Sequence, residues 1–244
     1  TKVGDMSGNG QHCTWAGSGS HWTDGKFGKA GYFNGTDDYV ESSDFADNLP
    51  QLSVSVWFKS LQTSGTNYPA IVSKLDPGST GSGDGWALFM RNYGGTMGKL
   101  FVIIQASNGA IWRSKYTTTT YNDGNWHHAV MLVDNLYVDL YVDGARPTLT
   151  NYQSGTMTTY TSPTIPVRVG WDSDAADVFN GSIDEVRVYN SSLSAQQILQ
   201  IYNEEKDNTS RTIHNSTLVA GQNWTACVTP NNGFWFGQTK CSAN

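Results

Sequence analysis

Apolar and polar residues alternate along several short segments of this chain, and a period of two predicts β-strands. In residues 52–58 every even-numbered position is apolar, which gives the segment one apolar face. In residues 136–143 the apolar positions again alternate, with Tyr and Asp on the opposite side. Further strands are predicted for four shorter apolar runs, at residues 86–90, 101–104, 130–133 and 167–169. The pattern therefore predicts a chain built mainly of short strands.

One helix and several turns complete the predicted secondary structure. Ser194 is a typical N-cap residue, and the apolar residues of 195–202 fall on one face of a helix. Asn108-Gly109 lies between two predicted strands and favours a two-residue hairpin turn. Residues 76–85 consist almost entirely of Gly, Ser, Pro, Thr and Asp, which predicts a loop.

Composition and charge argue against nucleic acids and anionic membranes as binding partners of this protein. Of the 244 residues 15% are charged, and the formal net charge at pH 7 is −6. Nucleic-acid phosphates need a basic face, and anionic membrane surfaces attract basic segments, so neither is an expected partner. No apolar run approaches the roughly 20 residues that span a bilayer. The low charge and abundant Gly are typical of short strands joined by tight turns.

Three segments join a Gly, Asn or Asp turn to an alternating strand, in an order and spacing that resemble one known family. They are Phe33-Asn34-Gly35-Thr36-Asp37-Asp38-Tyr39-Val40, Asp123-Gly124-Asn125-Trp126-His127-His128, and Phe179-Asn180-Gly181-Ser182-Ile183-Asp184-Glu185-Val186-Arg187-Val188-Tyr189. Together they resemble the laminin-G-like branch of the concanavalin A-like lectin/glucanase superfamily. The resemblance implies an all-β fold, a two-sheet antiparallel jelly-roll sandwich followed by one short helix. It also implies binding, since most members of the family bind ligands and do not transform them.

Both ends of the chain depart from the family pattern. The resemblance assigns residues 1–203 to the jelly roll and leaves 204–244 as a strand-forming tail, similar to the last strands of an immunoglobulin-like domain. Only Thr1 to Gly4 precede the turn Asp5-Met6-Ser7-Gly8-Asn9-Gly10, where the family has an apolar strand. A missing strand exposes unpaired backbone groups, which strand addition by the tail or by another chain satisfies. The alternative is that the chain is a fragment that has lost its first strand.

Three cysteines allow one disulfide. Cys227 and Cys241 flank a predicted hairpin and are expected to pair in an oxidising compartment. Cys13 is then the odd one, either buried and inert or available to a second chain.

Asp184 is the first candidate metal ligand. It shares alternation parity with Val186 and Val188, so it is expected to point towards the sandwich interior or its rim, where a carboxylate needs a cation or several donors. The resemblance implies a structural calcium held by Asp184 and, on the first turn, by Asp5 and Asn9. The alternative is that Asp5 and Asp184 only accept backbone N–H bonds at turns.

Aromatic residues in loops are the candidate ligand contacts, because sugar rings stack on aromatic faces while Asp and Asn bind hydroxyl groups. The set predicted to bind a ligand is Trp171, Asp172, Asp174 and Tyr93. Trp15 and Trp22 lie in Gly/Ser-rich sequence and are further candidates. Asp37 and Asp38 either add oxygen ligands to a metal ion, contact sugar hydroxyls or only form a turn, and the turn is favoured. His127 and His128 are expected to point to opposite faces of a strand, and packing is favoured over metal binding.

The templates for catalysis are absent. Glucanases of this fold carry two carboxylates in a Glu-x-Asp-x-Glu pattern that serve as nucleophile and acid/base. The chain has four glutamates and none falls in that pattern: Glu41, Glu185, Glu204 and Glu205. Neither a G-x-S-x-G nor an H-E-x-x-H motif occurs. The sequence therefore predicts a protein that is not an enzyme.

These observations lead to one predicted function and one alternative. We predict a secreted or cell-surface adhesion or assembly protein, a subunit of an extracellular multimer or filament joined by strand complementation to copies of itself or to an adjacent surface protein. The alternative is a carbohydrate-binding module of a larger glycan-active protein.

Overall fold

The computed structural model describes most of the chain in separate segments. These are residues 2–18, 20–65, 68–75, 84–93, 96–106, 110–158, 160, 164–172, 177–207, 227–228 and 240–241. Within them the strands are β1 (Lys2–Val3), β2 (Cys13–Ala16), β3 (Trp22–Asp24), β4 (Lys29–Asn34), β5 (Tyr39–Asp44), β6 (Gln51–Lys59), β7 (Ala70–Leu75), β8 (Gly85–Tyr93), β9 (Thr96–Ala106), β10 (Ile111–Thr120), β11 (His127–Asp134), β12 (Tyr137–Val142), β13 (Leu149–Ser154), β14 (Pro166–Val169), β15 (Asn180–Tyr189), β16 (Cys227–Val228) and β17 (Lys240–Cys241). The helix α1 (Ala195–Glu205) follows β15.

The strands β1 to β15 form two antiparallel sheets. One sheet has nine strands in the order β1-β2-β5-β14-β7-β8-β9-β10-β13, and the other has six in the order β12-β11-β6-β15-β4-β3. Many neighbours in the sheets are distant in the chain, as in a jelly roll, where long connections cross between sheets. The predicted all-β, two-sheet jelly-roll sandwich is confirmed.

Alternate positions of facing strands fill the space between the sheets with one apolar core. Strand β6 contributes the even-numbered positions that the sequence analysis identified, and all four are fully buried: Leu52, Val54, Val56 and Phe58. From the nine-stranded sheet, β9 contributes Leu100, Val102 and Ile104. Burying an apolar side chain of this size contributes about 1.5–3 kcal/mol to folding.

The second face of β6 is buried as well, although its residues are partly polar. Ser53, Ser55 and Trp57 lie on the outer face of the six-stranded sheet and are at most 2% exposed. The hydroxyl of Ser53 donates to the Ser191 carbonyl at 2.7 Å and accepts from the Leu193 amide at 2.9 Å. The segment that leads into α1 therefore covers this face, which the sequence pattern alone had left on the polar side.

Helix α1 is held at both of its ends. Ser194 accepts a hydrogen bond from the Gln197 amide, and the Gln197 side chain accepts from the Ser194 amide, which together form a capping box. At the other end, Glu205 accepts from Trp57 Nε1 at 2.6 Å and pairs with Arg187 at 2.6 Å. The predicted helix is confirmed, and it continues beyond residue 202 to Glu205. Within the described residues no helix has the length and apolarity needed to cross a membrane.

A β-bulge in β15 overturns the prediction for the direction of Asp184. Asp184 lies opposite Trp57 and Arg187 lies opposite Ser55, with the register shifted between them, and Glu185 has φ +50°. One extra residue in a strand reverses the alternation that follows it. Asp184 therefore shares the outer face with Trp57, whereas Val186 packs against the inner core. The parity argument was wrong because it assumed an unbroken strand.

The first strand is present, although it is short. Lys2 pairs with Thr14 and Val3 with Cys13, so β1 is an edge strand of the nine-stranded sheet. Among the described strands, the edge of the six-stranded sheet at β3 is also short, with three residues. Short edge strands limit the backbone that another chain can pair with. The groove expected from an absent first strand is therefore occupied, at least over these two residues.

The chain divides into two compact units, Thr1–Ser210 and Arg211–Asn244, close to the predicted boundary after residue 203. In the second unit, β16 and β17 pair antiparallel with Cys227 directly opposite Cys241. This register agrees with the hairpin on which the disulfide prediction rested, and the disulfide itself stays a prediction.

The adjacent histidines of β11 occupy opposite faces of the sheet. His127 lies between two carboxylates, with Nδ1 2.8 Å from Asp143 and Nε2 3.1 Å from Asp123. His128 is fully buried on the outer face, and its Nε2 lies 2.8 Å from the Ser55 hydroxyl. Burial lowers the pKa of His128 to about 4. Burial also opposes the charge of His127, but Asp143 and Asp123 prevail and raise its pKa.

These two histidines should give stability contributions of opposite pH dependence. Below pH 6.5 His128 becomes protonated in the unfolded chain, whereas in the folded protein it stays neutral until about pH 4. Through this group, the free energy of unfolding of the wild type falls by up to about 3 kcal/mol between pH 7 and pH 4. His128→Gln should remove that loss. The stabilisation by His127 is fully present below pH 6.5 and is lost as the pH rises through its raised pKa.

The measurement is the free energy of unfolding in urea from pH 4 to pH 9 for the wild type and both variants. The difference in unfolding free energy between the wild type and His128→Gln should become smaller as the pH falls. The corresponding difference between the wild type and His127→Gln should become smaller as the pH rises. Parallel pH dependence for the two variants would contradict the described protonation states.

Candidate functional site

An open depression of about 450 Å³ lies at the β3 edge of the six-stranded sheet. Its walls combine hydroxyl, amide, carboxylate and aromatic groups, and the lining residues are Ser18, Ser20, Trp22, Thr23, Tyr32, Asn34 and Asp38. Trp22 is 45% exposed and Tyr32 is 41% exposed, although both are large aromatic residues. Concave surfaces with exposed rings and a few polar groups are the usual form of small-ligand sites.

Strand pairing explains how the two aromatic side chains reach the depression. Trp22 lies opposite Gly31 in the β3–β4 pair, and Tyr32 is the next residue along β4. Because successive strand residues point to opposite faces, the Trp22 and Tyr32 side chains leave opposite faces of the sheet at its edge. The depression therefore extends around the edge strand.

Trp22 is supported from below by the core. Its ring stacks on Trp15 with a centroid separation of 6.0 Å, and Trp15 is only 5% exposed. Trp15 in turn lies edge-on to Phe33 at 4.8 Å and to His21 at 4.6 Å. A ring that rests on buried neighbours loses little conformational entropy when a ligand covers its free face.

The turn after β4 forms the polar wall. The Asn34 side-chain oxygen accepts the amides of Thr36 at 2.8 Å and Asp37 at 3.1 Å, and its Nδ2 donates to Asp37 at 2.7 Å. Ser18 also donates to Asp37, at 3.3 Å. These hydrogen bonds from Asn34 and Ser18 lower the pKa of Asp37. Asn34 and Asp37 thus form the turn that the sequence favoured, and they connect this turn to Ser18.

Asp38 is the buried carboxylate of the site. Its side chain is 1% exposed, and Oδ2 accepts the Asn34 amide at 3.2 Å. Oδ1 lies 3.5 Å from His21 Nδ1, and neither of these two buried atoms has a hydrogen-bond partner within the described residues. Burial raises the pKa of Asp38 and lowers the pKa of His21. A buried acceptor without a partner is rare in folded proteins and calls for an explanation.

Trp171 and Asp172, which were predicted to bind a ligand, lie outside this depression. Trp171 lies near Tyr39, with ring centroids 4.7 Å apart, and the Arg168 guanidinium lies 5.2 Å from its ring. This cluster belongs to the nine-stranded sheet, on β5 and just after β14. Asp172 follows Trp171 and is half-buried. Tyr93 ends β8, and Asp174 lies outside the described residues. Of the residues whose side chains the structure describes, it brings neither Trp171 nor Asp172 to the depression.

The predicted calcium ligands form hydrogen bonds within the protein: Asp5 and Asp184 accept backbone amides, and Asn9 contacts a hydroxyl group. Asp5 accepts the amides of Ser7 at 2.8 Å and Gln11 at 2.9 Å. The Ser7 side chain, followed by these two amides, lowers the pKa of Asp5 to about 2. Asn9 donates to the Ser7 hydroxyl at 3.1 Å. Asp184 accepts the Phe27 amide at 2.9 Å, and burial raises its pKa.

Within the described residues, no three His, Cys, Asp or Glu side chains are grouped to hold a metal ion. Asp5 and Asp184 thus behave as turn acceptors, the alternative that the sequence left open. Calcium binding stays an untested prediction.

The glutamates are held by cations or amides. Glu41 lies 2.8 Å from Arg168, and Glu205 lies 2.6 Å from Arg187, which also pairs with Glu185. Glu204 accepts from Gln200 at 2.8 Å. A glycosidase needs one of its two carboxylates protonated and the other exposed to the sugar, and a neighbouring guanidinium disfavours the protonated form.

Sequence reasoning named Trp22 only as one of several aromatics in Gly/Ser-rich sequence, and it missed Tyr32. Tyr32 has the parity opposite to Phe33, which the strand places in the core. That signal was available in the sequence, but the pairing of β3 with β4 was not.

The fold and the site define a jelly-roll domain with an open polar and aromatic depression at a sheet edge. Residues 34–199 match the laminin G family model that is described as the Concanavalin A-like lectin/glucanases superfamily. The match covers more than half of the chain, and the chain belongs to this family.

Solved structures share the fold at low sequence identity. Domain 4 of AbnA, a GH43 extracellular arabinanase from Geobacillus stearothermophilus in complex with arabinotriose, aligns with a TM-score of 0.61 and 23% identity, over 81% of this chain and 91% of that chain. The binding domain of Paraclostridial Mosquitocidal Protein 1 aligns with a TM-score of 0.63 and 16% identity, over 82% of this chain and 49% of that chain. The receptor binding domain of botulinum neurotoxin D aligns with a TM-score of 0.56 and 17% identity, over 82% of this chain and 49% of that chain.

Among curated proteins, the Adhesion G-protein coupled receptor V1 of Danio rerio is 26% identical over 91 residues. That stretch is 37% of this chain and 2% of the receptor. The chain therefore spans a very small part of this relative.

The backbone beside Asp38 should depend on glycine at position 17. Gly17 has φ +106°, and a Cβ there would lie 2.3 Å from Asp38 Oδ1 and 2.6 Å from the Asp37 carbonyl oxygen. Gly8 has φ +84° but no heavy atom within 4 Å of its Cβ position. Gly8→Ala should therefore cost only the backbone strain, roughly 1–2 kcal/mol. Gly17→Ala should cost about 1–3 kcal/mol more, because it also overpacks the Asp38 site.

Urea unfolding of the two variants at pH 7 provides the measurement. Equal losses of unfolding free energy in the two variants would contradict the packing described, because they would show that a Cβ at position 17 causes no steric clash with Asp38.

Proposed function

We propose that this protein is a non-catalytic domain of the cell surface or extracellular space that binds glycans at the β3-edge depression. The observation that carries the proposal is the pair of exposed aromatic residues, Trp22 and Tyr32, beside the buried carboxylate of Asp38. A pyranose or furanose ring has apolar C–H patches that pack on an aromatic face and hydroxyl groups that need polar partners. The depression offers both kinds of contact within one volume.

The comparisons support a binding role of this kind. The domain of AbnA is described in complex with arabinotriose, and the toxin domains are described as binding or receptor-binding domains. The adhesion receptor that matches 91 residues supports a place at the cell surface. The arginine partners of Glu41 and Glu205 favour a role without bond cleavage.

Assembly by strand addition has less support. Lys2–Val3 already pairs with β2 at the edge where a donated strand was expected. At the opposite edge of the other sheet, β3 has three residues and ends at Asp24, which pairs with Lys29. Short strands and charged residues at sheet edges oppose pairing with another chain. Glycan binding is therefore the function that the geometry supports best.

Replacing Trp22 should weaken glycan binding while leaving the fold intact, because the side chain lies on a three-residue edge strand and is 45% exposed. We expect Trp22→Ala to reduce affinity roughly tenfold or more, and Tyr32→Ala to reduce it to a smaller extent. The control is Tyr152→Ala, an aromatic residue of similar exposure, 51%, on β13.

The experiment begins with a glycan array that includes arabinotriose and continues with calorimetry on the ligands that bind. Unfolding in urea should give similar midpoints for the three variants. Absence of binding to every glycan would overturn the proposal. Loss of binding in Tyr152→Ala but not in Trp22→Ala would overturn the assignment of the site.

A further inference from the structure

The charges around the depression are of one sign. Among the described residues that line it, Asp38 is the one acidic residue, and none is Lys, Arg or His. Asp37 adds a second carboxylate, bonded to two lining residues, Ser18 and Asn34.

The nearest cationic side chain on the β3–β4 strand pair, Lys29, forms an ion pair with an aspartate. Lys29 lies 2.6 Å from Asp24, at the end of β3 opposite to the depression's loop. No described lining residue is Lys or Arg. Proteins that bind carboxylate or sulfate groups normally supply Arg, Lys or backbone N–H donors for them.

The free oxygen of Asp38 strengthens this asymmetry. Asp38 Oδ1 and His21 Nδ1 are buried, 3.5 Å apart and without hydrogen-bond partners within the described residues. The Asp38 side chain is 1% exposed, and a charge on a buried carboxylate acts on neighbouring charges more strongly than one in water. The loop over it is adapted to this carboxylate, since only glycine fits at position 17.

We infer that the depression selects uncharged glycans, and that Asp37 and Asp38 exclude sugars carrying carboxylate or sulfate groups. This inference rests on the proposed function and deepens it. A neutral sugar offers hydroxyl donors to the acceptor-rich wall, whereas an acidic sugar places a like charge beside two carboxylates. Specificity of this kind arises from repulsion of the wrong ligand as much as from attraction of the right one.

The test compares matched neutral and acidic oligosaccharides at low salt, because screening hides exposed charges. The probes are galactotriose with trigalacturonic acid, and N-acetyllactosamine with its sialylated form, on the array and by calorimetry. We expect each neutral sugar that binds to bind at least tenfold more tightly than its acidic partner. Asp37→Asn should reduce this ratio severalfold, and higher salt should do the same.

The variants separate local charge from net charge and from folding. Asp134→Asn makes the same change of charge on an exposed residue of β11, and it should leave the ratio unchanged. Asp37 is exposed, so Asp37→Asn should fold and can test the charge effect even if the buried substitution Asp38→Asn prevents folding. Equal or tighter binding of the acidic sugars would overturn this inference and leave the proposed function intact. Failure of every glycan to bind would overturn both.

Discussion

The packing of one aromatic side chain, Phe33, fixes the two sheets and the candidate site relative to each other. Its ring lies 4.8 Å from Trp15 in the nine-stranded sheet and 6.4 Å from Phe179 just before β15. A Cβ at Gly170 would lie 2.2 Å from Phe33, so the chain after β14 approaches the ring as closely as glycine allows. Because interiors of this density do not deform continuously, Phe33 sets where β4 lies. Trp22, which rests on Trp15 beside β4, is positioned by the same contact.

The outer face of the six-stranded sheet depends on polar groups that satisfy each other. Trp57 is buried beneath α1 and needs an acceptor for its N–H, which Glu205 supplies. The bulge at Glu185 turns Arg187 to this face, where Arg187 pairs with Glu205. Removing one partner from such a cluster leaves the others buried without compensation. The irregularity in β15 thus supplies the ion pair that fastens the helix.

The family fold by itself does not decide what the domain does, since jelly rolls carry many unrelated sites. In this chain, two exposed rings adjoin a buried carboxylate at a depression on a sheet edge. The rigid sandwich supplies the support, and the short edge strand and its two turns supply the chemistry. This arrangement suits the proposed binding role, because binding residues are commonly carried on loops and edges that a rigid scaffold positions.

The sequence by itself determined the elements whose signals are local. Alternation identified β6 and β12, the Ser194 signal identified the start of α1, and the Asn34 turn was recognised from its residue types. Three results needed the tertiary structure: the direction of Asp184, the burial of Ser53 beneath the α1 segment, and the meeting of Trp22, Tyr32 and Asp38. Each depends on register or contact between segments distant in the chain, and a one-residue shift in a strand reverses every side chain after it. Local sequence patterns determine which segments form strands or helices, whereas the site depends on which of these segments pair and pack against each other.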